Sequence, residues 1–182
     1  GALRSAGARQ DLNDAIDDFF ELAAAELDLD PSVHFFDQQR LAFSEVVEAG
    51  DALVLETEDP SPARLTPLVY QVLEIDYLDT SKQQARGPDR NEIRRGKEFD
   101  VYGRPAAFWI YDRHPLDLQG GPASPFSRRV EAEQVLHLFW KLRPTQTAGI
   151  SWFAPVVKHL ANLGGYVGAE LSSARAQSCW AV

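Results

Sequence analysis

Short apolar runs separated by turn residues fill the middle of the chain, and this pattern constrains the fold more than any other feature. Three runs are rich in leucine, β-branched and aromatic residues and therefore predict strands: residues 52–55, 68–78 and 135–139. Residues 98–100 and 105–111 flank Tyr102-Gly103, where the glycine supplies the positive φ that a tight turn needs. The sequence therefore predicts a mostly antiparallel β region that contains a hairpin.

Loops and turns are predicted at three further places. Residues 115–125 contain three prolines and two glycines and predict a loop. Residues 81–95 are polar and basic, which predicts an exposed loop or a hairpin arm. Residues 130–134 predict a short turn that leads into the last strand.

Helical patterns flank the β region on both sides. Five apolar residues recur on one face of a first helix: Leu12, Ile16, Phe19, Phe20 and Ala23. Asp11 is expected to cap this helix, and Asp30-Pro31 ends it. A second helix is expected after Ser32, with Gly50 as its stop signal. A third helical region is predicted from Gly149 to the end of the chain.

The order of these elements predicts an α+β fold: N-terminal helices, a mostly antiparallel β region with a hairpin, and C-terminal helices. Residues 1–10 are expected to form a tail and residues 11–182 a single domain. With 182 residues, 45% of them hydrophobic and 25% charged, the composition is typical of a soluble globular protein. The chain contains no Met, from which we expect a fragment of a longer protein.

Residues that could carry chemistry give little sign of an enzyme. The single cysteine, Cys179, and the four histidines have no zinc-ligand spacing, so no catalytic residue, metal or cofactor is predicted. Asp112, His114 and Asp117 form the best local cluster, and a small hydrolase or nuclease that uses them for general-base chemistry is the alternative hypothesis. A polar loop after a strand explains the same residues. His137 lies in an apolar strand and is expected to hydrogen-bond a neighbouring segment.

Charge is unevenly distributed along a chain whose net charge is -9. Acids dominate the first helix, and six bases gather further on: Lys82, Arg86, Arg90, Arg94, Arg95 and Lys97. These bases are candidates for contact with DNA phosphates, and they equally fit a solvated loop or a contact with an acidic neighbouring subunit. The acidic helix offers such a partner in a head-to-tail arrangement, where two different patches of identical subunits meet.

Several motifs, taken in order, resemble the portal proteins of lambda-like tailed phages. The matching segments are Gly-Asp before a strand at 50–54, acid-x-acid-x-Leu-Asp at 74–79, Gly-x-Glu-Phe-Asp at 96–100, Gly-Arg-Pro at 103–105, and an aromatic strand ending in His-Pro at 108–115. The most specific segments are Val-Leu-His-Leu-Phe at 135–139 and Arg-Pro-x-Gln-x-x-Gly-x-Ser-Trp-x-Ala-Pro at 143–155. The resemblance covers residues 50–181, and the first fifty residues are compatible with it.

The resemblance implies a homo-oligomeric ring, usually of twelve subunits, at one capsid vertex of the virion, assembled in the host cytoplasm. Double-stranded DNA would enter through this ring, driven by the terminase, and later leave through it. The implied partners are the terminase, capsid and head-completion proteins. The resemblance implies neither contact with a membrane nor a catalytic site. The chain would form part of the body or wing of the portal of a phage or prophage. Family members usually carry an acid where Gly165 or Gly168 stands, and each glycine is expected to weaken that helix by about 1 kcal/mol.

Overall fold

The computed structural model describes residues 4–7, 9–88, 90–117 and 126–180 of the chain. The elements in chain order are α1 (Gln10–Ala23), α2 (Phe35–Glu48), β1 (Asp51–Glu58), β2 (Leu68–Glu74), β3 (Glu92–Arg94), β4 (Lys97–Phe99), β5 (Pro105–Tyr111), β6 (Ser127–Glu131), β7 (Val135–Phe139) and α3 (Val157–Trp180). Two single-turn 3-10 helices, Ile75–Tyr77 and Ala132–Gln134, follow β2 and precede β7. The predicted α+β class is confirmed.

The strands of the described residues form two antiparallel sheets, with strand orders β2-β1-β7 and β3-β4-β5-β6. In the first sheet β1 is central, and Leu53 lies opposite Leu73 on one side and His137 on the other. In the second sheet β4 and β5 form the predicted hairpin, and Gly103 between them has a φ of +78°. The antiparallel prediction is therefore confirmed for both sheets.

One hydrophobic core lies between the two sheets. β1 contributes Leu53 and Leu55, which are alternate residues and so face the same side, and β5 contributes Phe108 and Ile110 in the same way. All four side chains are buried. Complete burial of a side chain of this size stabilises the fold by about 1.5–3 kcal/mol. This shared core makes the two sheets one packed body.

The strands depart from the sequence prediction in two places. The run of residues 68–78 is not one strand, because β2 ends at Glu74 and the chain turns through Ile75–Tyr77 toward the second sheet. Strand β6 is not predicted, because Arg128 and Arg129 interrupt the apolar pattern of its sequence. In the structure β6 pairs with β5 and forms an edge strand of the second sheet. Charged side chains are common on edge strands, which they protect from further pairing. Most of the predicted loop at 115–125 lies outside the described residues.

Helix α1 contacts the body through a narrower face than the one predicted. Phe20 packs edge-on against Phe35 of α2, with the ring centroids 5.4 Å apart, and Ala23 is buried. The other three residues of the predicted face, Leu12, Ile16 and Phe19, are about half exposed. The predicted helix is present, but the outer part of its apolar face is exposed, because no neighbouring element covers it among the described residues.

The ends of the first two helices follow local chemistry. Arg9, not Asp11, occupies the N-cap position of α1, and Asp11 lies in the first turn, where it forms an ion pair with Arg9. The helix dipole favours an acid in the first turn, so an acid near the start of a helix fits both an N-cap and a first-turn position in the sequence. The predicted stop of α2 is confirmed: Gly50 follows its C-cap with a φ of +99°.

Helix α3 makes no packing contact with either sheet that buries a side chain. Every side chain of residues 157–179 is exposed, including the large apolar residues along it. The glycines at 164, 165 and 168 do not break this helix, which begins at Val157, later than the sequence predicts. Among the described residues, no helix is long and apolar enough to cross a membrane.

Candidate functional site

The side chains of Asp112 and His114, two of the three residues of the alternative enzyme hypothesis, engage separate partners. Asp112 forms an exposed ion pair with Arg128, with Oδ1 3.0 Å from Nε. The His114 ring points instead at Glu74, with Nε2 3.0 Å from Oε2. Asp117 meets His114 through its backbone, where the amide donates to the His114 carbonyl at 3.0 Å. This arrangement gives the hydrolase hypothesis no support.

Glu74, Asp76 and His114 are close enough together to be considered as metal ligands. However, the Leu116 amide donates to His114 Nδ1 at 3.1 Å, so Nδ1 acts as an acceptor and a neutral ring carries its proton on Nε2. A metal would need the lone pair of Nε2, the atom that faces the two carboxylates. The tautomer that this hydrogen bond selects therefore disfavours a metal at this cluster.

A buried ionic junction lies where the two sheets meet, and it consists of Asp51, Lys97 and His137. Asp51 is the first residue of β1, Lys97 the first of β4, and His137 the middle of β7, so the chain fold brings together three separate strands. Lys97 Nζ is 3.7 Å from Asp51 Oδ2, and His137 Nε2 is 3.2 Å from Asp51 Oδ1. The Lys97 ammonium also donates to the Thr147 carbonyl at 2.8 Å. The junction thus joins both sheets to the segment that precedes α3.

The electrostatics of the junction favour the ionised form of Asp51 but not that of Lys97. Burial raises the pKa of the Asp51 carboxyl, but the hydrogen bond with His137 and the charge of Lys97 outweigh it and leave that pKa below its ordinary value. Burial lowers the pKa of Lys97, and the Asp51 carboxylate opposes the change only in part, so this pKa also stays below its ordinary value. The His137 Nε2 atom also lies 3.2 Å from Lys97 Nζ. A neutral ring can donate to the carboxylate or accept from the ammonium, but not both at once.

Two glycines allow the segment before α3 to reach the junction. The Gly149 amide donates to Asp51 Oδ1. A Cβ added at Gly149 would lie 1.9 Å from the Gly50 carbonyl oxygen, which no side chain can accommodate. Gly50 itself has a φ in the left-handed region, where glycine is strongly favoured. This close backbone crossing fixes the start of the path toward α3.

The six bases considered for DNA contact have different surroundings. Lys97 is 4% exposed and belongs to the junction, so its ammonium faces Asp51 rather than solvent. Arg86 donates to the backbone carbonyls of Asp100 and Val101. Arg94 forms an ion pair with Glu92 at 3.2 Å, and Lys82 makes a cation-π contact with Trp109. Arg90 and Arg95 are exposed. DNA contact by the five bases other than Lys97 stays a prediction.

His137 confirms the structural role expected from its strand. Its neighbours Leu136 and Leu138 are 53% and 40% exposed, whereas the His137 side chain is 9% exposed, as alternation requires. The sequence pattern does not identify Asp51 as its partner. In the sequence, Asp51 stands directly before an apolar strand. This position predicts a polar group at the edge of the core, but it does not predict which residue that group contacts.

The outer face of the first sheet forms an apolar groove with α1 and α2, with a volume of about 930 Å³. Its walls include Phe43 of α2, Leu136 and Leu138 of β7, and two tryptophans, Trp140 and Trp152. The Trp140 and Trp152 rings meet edge to face with centroids 6.2 Å apart. All five side chains remain 40% or more exposed, so this groove is an unfilled apolar surface.

Comparison with known proteins identifies the family of this chain. The family described as "Phage portal protein, lambda family" matches residues 2–182. A protein named "Probable portal protein" of Halomonas phage phiHAP-1 is 33% identical over 104 residues, which make up 57% of this chain and 20% of that relative. The chain thus spans about a fifth of the relative that it matches. Because the family match extends over nearly the whole chain, the chain belongs to the lambda family of phage portal proteins.

Proposed function

We propose that this chain forms part of a phage portal subunit, a structural protein that assembles into a ring at a capsid vertex and conducts DNA during packaging and ejection. Membership of the portal family supports this role. A structural rather than catalytic function also agrees with the separated surroundings of Asp112 and His114. The ring would be dodecameric, in the virion, with the terminase, capsid and head-completion proteins as partners.

The observation that carries this proposal within the structure is the exposure of α3. This 24-residue helix leaves all its described side chains in solvent, and several of them are large and apolar: Val157, Leu160, Leu163, Tyr166, Val167 and Leu171. A single helix gains most of its stability in proteins from tertiary packing, so a helix with this surface needs a partner. In a portal ring, both the rest of the longer subunit and the neighbouring subunits supply partners for such a helix.

The apolar groove of the first sheet supports the same conclusion. Monomeric proteins rarely leave contiguous apolar surface of this extent uncovered, and such surface marks sites of protein contact. Together, α3 and the groove give the chain two separate apolar surfaces. A subunit that packs against further protein, whether the rest of its own chain or a neighbouring copy, is expected to present such surfaces.

Electron microscopy of the full reading frame that encodes this chain tests the proposal. We expect closed rings with a central channel, and light scattering should give the mass of a multiple of the subunit. A protein that remains strictly monomeric at high concentration would contradict the proposal. Asp112→Ala serves as a control, because the portal role predicts unchanged rings and the hydrolase hypothesis predicts the loss of an activity.

A further inference from the structure

One face of α1 combines charge with exposed apolar residues. Asp11, Asp14, Asp18 and Glu21 follow each other at spacings of three and four residues, which places them in one stripe along the helix. All four are exposed. The exposed apolar residues Leu12, Ile16, Phe19 and Leu22 form a second stripe beside them. We call this surface the acidic face of α1.

A surface of opposite sign lies on the second sheet. Residues 82–104, which include β3 and β4, hold seven of the eighteen lysines and arginines of the chain against four acids, and of these seven bases only Lys97 is buried. Arg90 and Arg95 are exposed, and among the described residues neither forms an ion pair. At the tip of the hairpin, Val101 and Tyr102 are 70% and 80% exposed. We call residues 82–104 the basic hairpin: Arg90 and Arg95 lie on either side of β3, and Val101 and Tyr102 lie in the turn after β4.

The two surfaces do not neutralise each other inside the chain. Among the described residues, no ion pair joins α1 to residues 82–104. The acids Asp14, Asp18 and Glu21 likewise have no ion-pair partner in the described part of the chain. Since the net charge is -9, two copies repel each other on average. Contact between the acidic face of one copy and the basic hairpin of another offsets this repulsion, because it brings opposite charges together.

We propose that the acidic face of α1 docks on the basic hairpin of a second copy of this chain. This rests on the proposed function, for which it names the contact between neighbouring subunits. The stripe of apolar residues and the hairpin tip bury each other, and the surrounding charges set the orientation. Because the two surfaces differ, each copy in a chain of contacts keeps one of each for the next copy. Such head-to-tail contacts close into a ring or extend as a filament.

The observations favour a second copy over DNA as the occupant of the basic hairpin. A phosphate backbone would satisfy Arg90 and Arg95, but it offers nothing to cover Val101 and Tyr102. The acidic face of α1 supplies both carboxylates and apolar side chains. Arginines that lie in a contact between subunits are not available to a nucleic acid. Contact with a second copy and contact with DNA therefore exclude each other, and one experiment can separate them.

Charge reversal on each surface tests the contact. The first variant carries Asp14→Lys and Asp18→Lys, and the second carries Arg90→Glu and Arg95→Glu. We expect the unchanged chain to associate in sedimentation equilibrium, with affinity falling as salt rises. Each variant alone should associate at least roughly tenfold more weakly, because like charges then face each other. An equimolar mixture of the two should associate again, since both of its mixed contacts join opposite charges.

Matched controls place the same charge changes elsewhere. The control for the first variant carries Glu48→Lys and Glu133→Lys, which change the net charge by the same amount. The control for the second variant carries Arg40→Glu and Arg143→Glu, for the same reason. Both control pairs should associate as the unchanged chain does. Circular dichroism confirms that each variant is folded.

Several results would overturn the contact. These are an unchanged chain that is monomeric at all concentrations, variants that associate normally, or a mixture that stays dissociated. A short DNA duplex added to the chain gives a further arm: if Arg90→Glu with Arg95→Glu abolishes duplex binding and leaves self-association intact, the arginines serve nucleic acid and the contact is wrong. If the full reading frame forms normal rings with both variants, the portal function stands and only this contact fails.

Discussion

The sheet body and helix α3 are built from similar amino acids but have opposite surroundings. In the body, Leu53 is completely buried between the two sheets. In α3, Leu163 is 58% exposed. The body therefore contains the packing that stabilises it, whereas α3 depends on its own backbone hydrogen bonds. The difference separates the part of the chain that folds for itself from the part that is available for assembly.

The largest expected effect comes from the core. Leu53→Ala should lower the free energy of unfolding by about 3–5 kcal/mol, because it removes buried methyl groups and leaves a cavity. Urea denaturation followed by tryptophan fluorescence measures the change. A loss below 1 kcal/mol would show that the two sheets do not share a rigid core, and the contrast with α3 would collapse.

The ionic junction should rank next. Asp51→Asn leaves the buried ammonium of Lys97 without its counter-charge, and removal of one partner of a buried pair costs about 3 kcal/mol or more. The same urea denaturation measures this loss. Asp51→Leu combined with Lys97→Met should recover only part of it: the two apolar side chains need no partner, but the Gly149 amide, the His137 ring and the Thr147 carbonyl lose theirs. Equal stability of Asp51→Asn and the unchanged chain would mean that water already solvates the junction.

Acid should weaken the body through Asp79. Burial raises the pKa of this carboxyl, but hydrogen bonds from Ser127, Ser81 and Tyr111 outweigh it and lower the pKa to about 2. Because the folded-state pKa lies below the ordinary value, the ionised carboxylate stabilises the fold above about pH 4. This contribution, about 2 kcal/mol, is lost as the pH falls from 4 toward 2.

Asp79→Asn isolates that contribution from the other carboxyl groups. At pH 7 the variant should be less stable than the unchanged chain, and the gap should narrow as the pH approaches 2. Urea denaturation at a series of pH values gives both curves. Parallel curves would show that Asp79 does not carry the acid sensitivity.

A smaller change is expected when α3 receives a better helix former. A Cβ at Gly168 would meet no atom within 4 Å, so Gly168→Ala should stabilise the helix by about 1 kcal/mol. Thermal scans of circular dichroism at 222 nm should show more helix at a given temperature. If the variant gains helix but assembles poorly, Gly168 faces a neighbouring subunit. No gain in helix would contradict the exposed position.

The smallest effect is expected for Leu163→Ala, which makes the same chemical change as the core variant. Exposed substitutions usually change stability by less than about 0.5 kcal/mol. Urea denaturation of the chain at low concentration should give a curve close to that of the unchanged chain. A loss as large as that of Leu53→Ala would show that α3 packs on the body, and the division between the two regions would disappear.

The sequence predicts best where the signal is local. β7 has the predicted bounds, and Gly103 turns the hairpin as expected, because alternation and a positive φ are properties of a few adjacent residues. The partial exposure of the α1 face is not predictable in this way, since periodicity tells which residues share a face and not whether another element covers it. For the same reason the burial of Lys97, which the charge pattern groups with exposed arginines, is not predictable from its neighbours.

The sequence by itself determined the α+β class, most strands and turns, the separation of acidic and basic surfaces, and the resemblance to portal proteins. These features depend on composition and on spacings within a few residues. Only the tertiary structure decided that Asp51, Lys97 and His137 meet, and that α3 remains uncovered. Contacts between residues far apart in the chain depend on how the sheets pack together, and this packing is set by the whole core rather than by any local pattern.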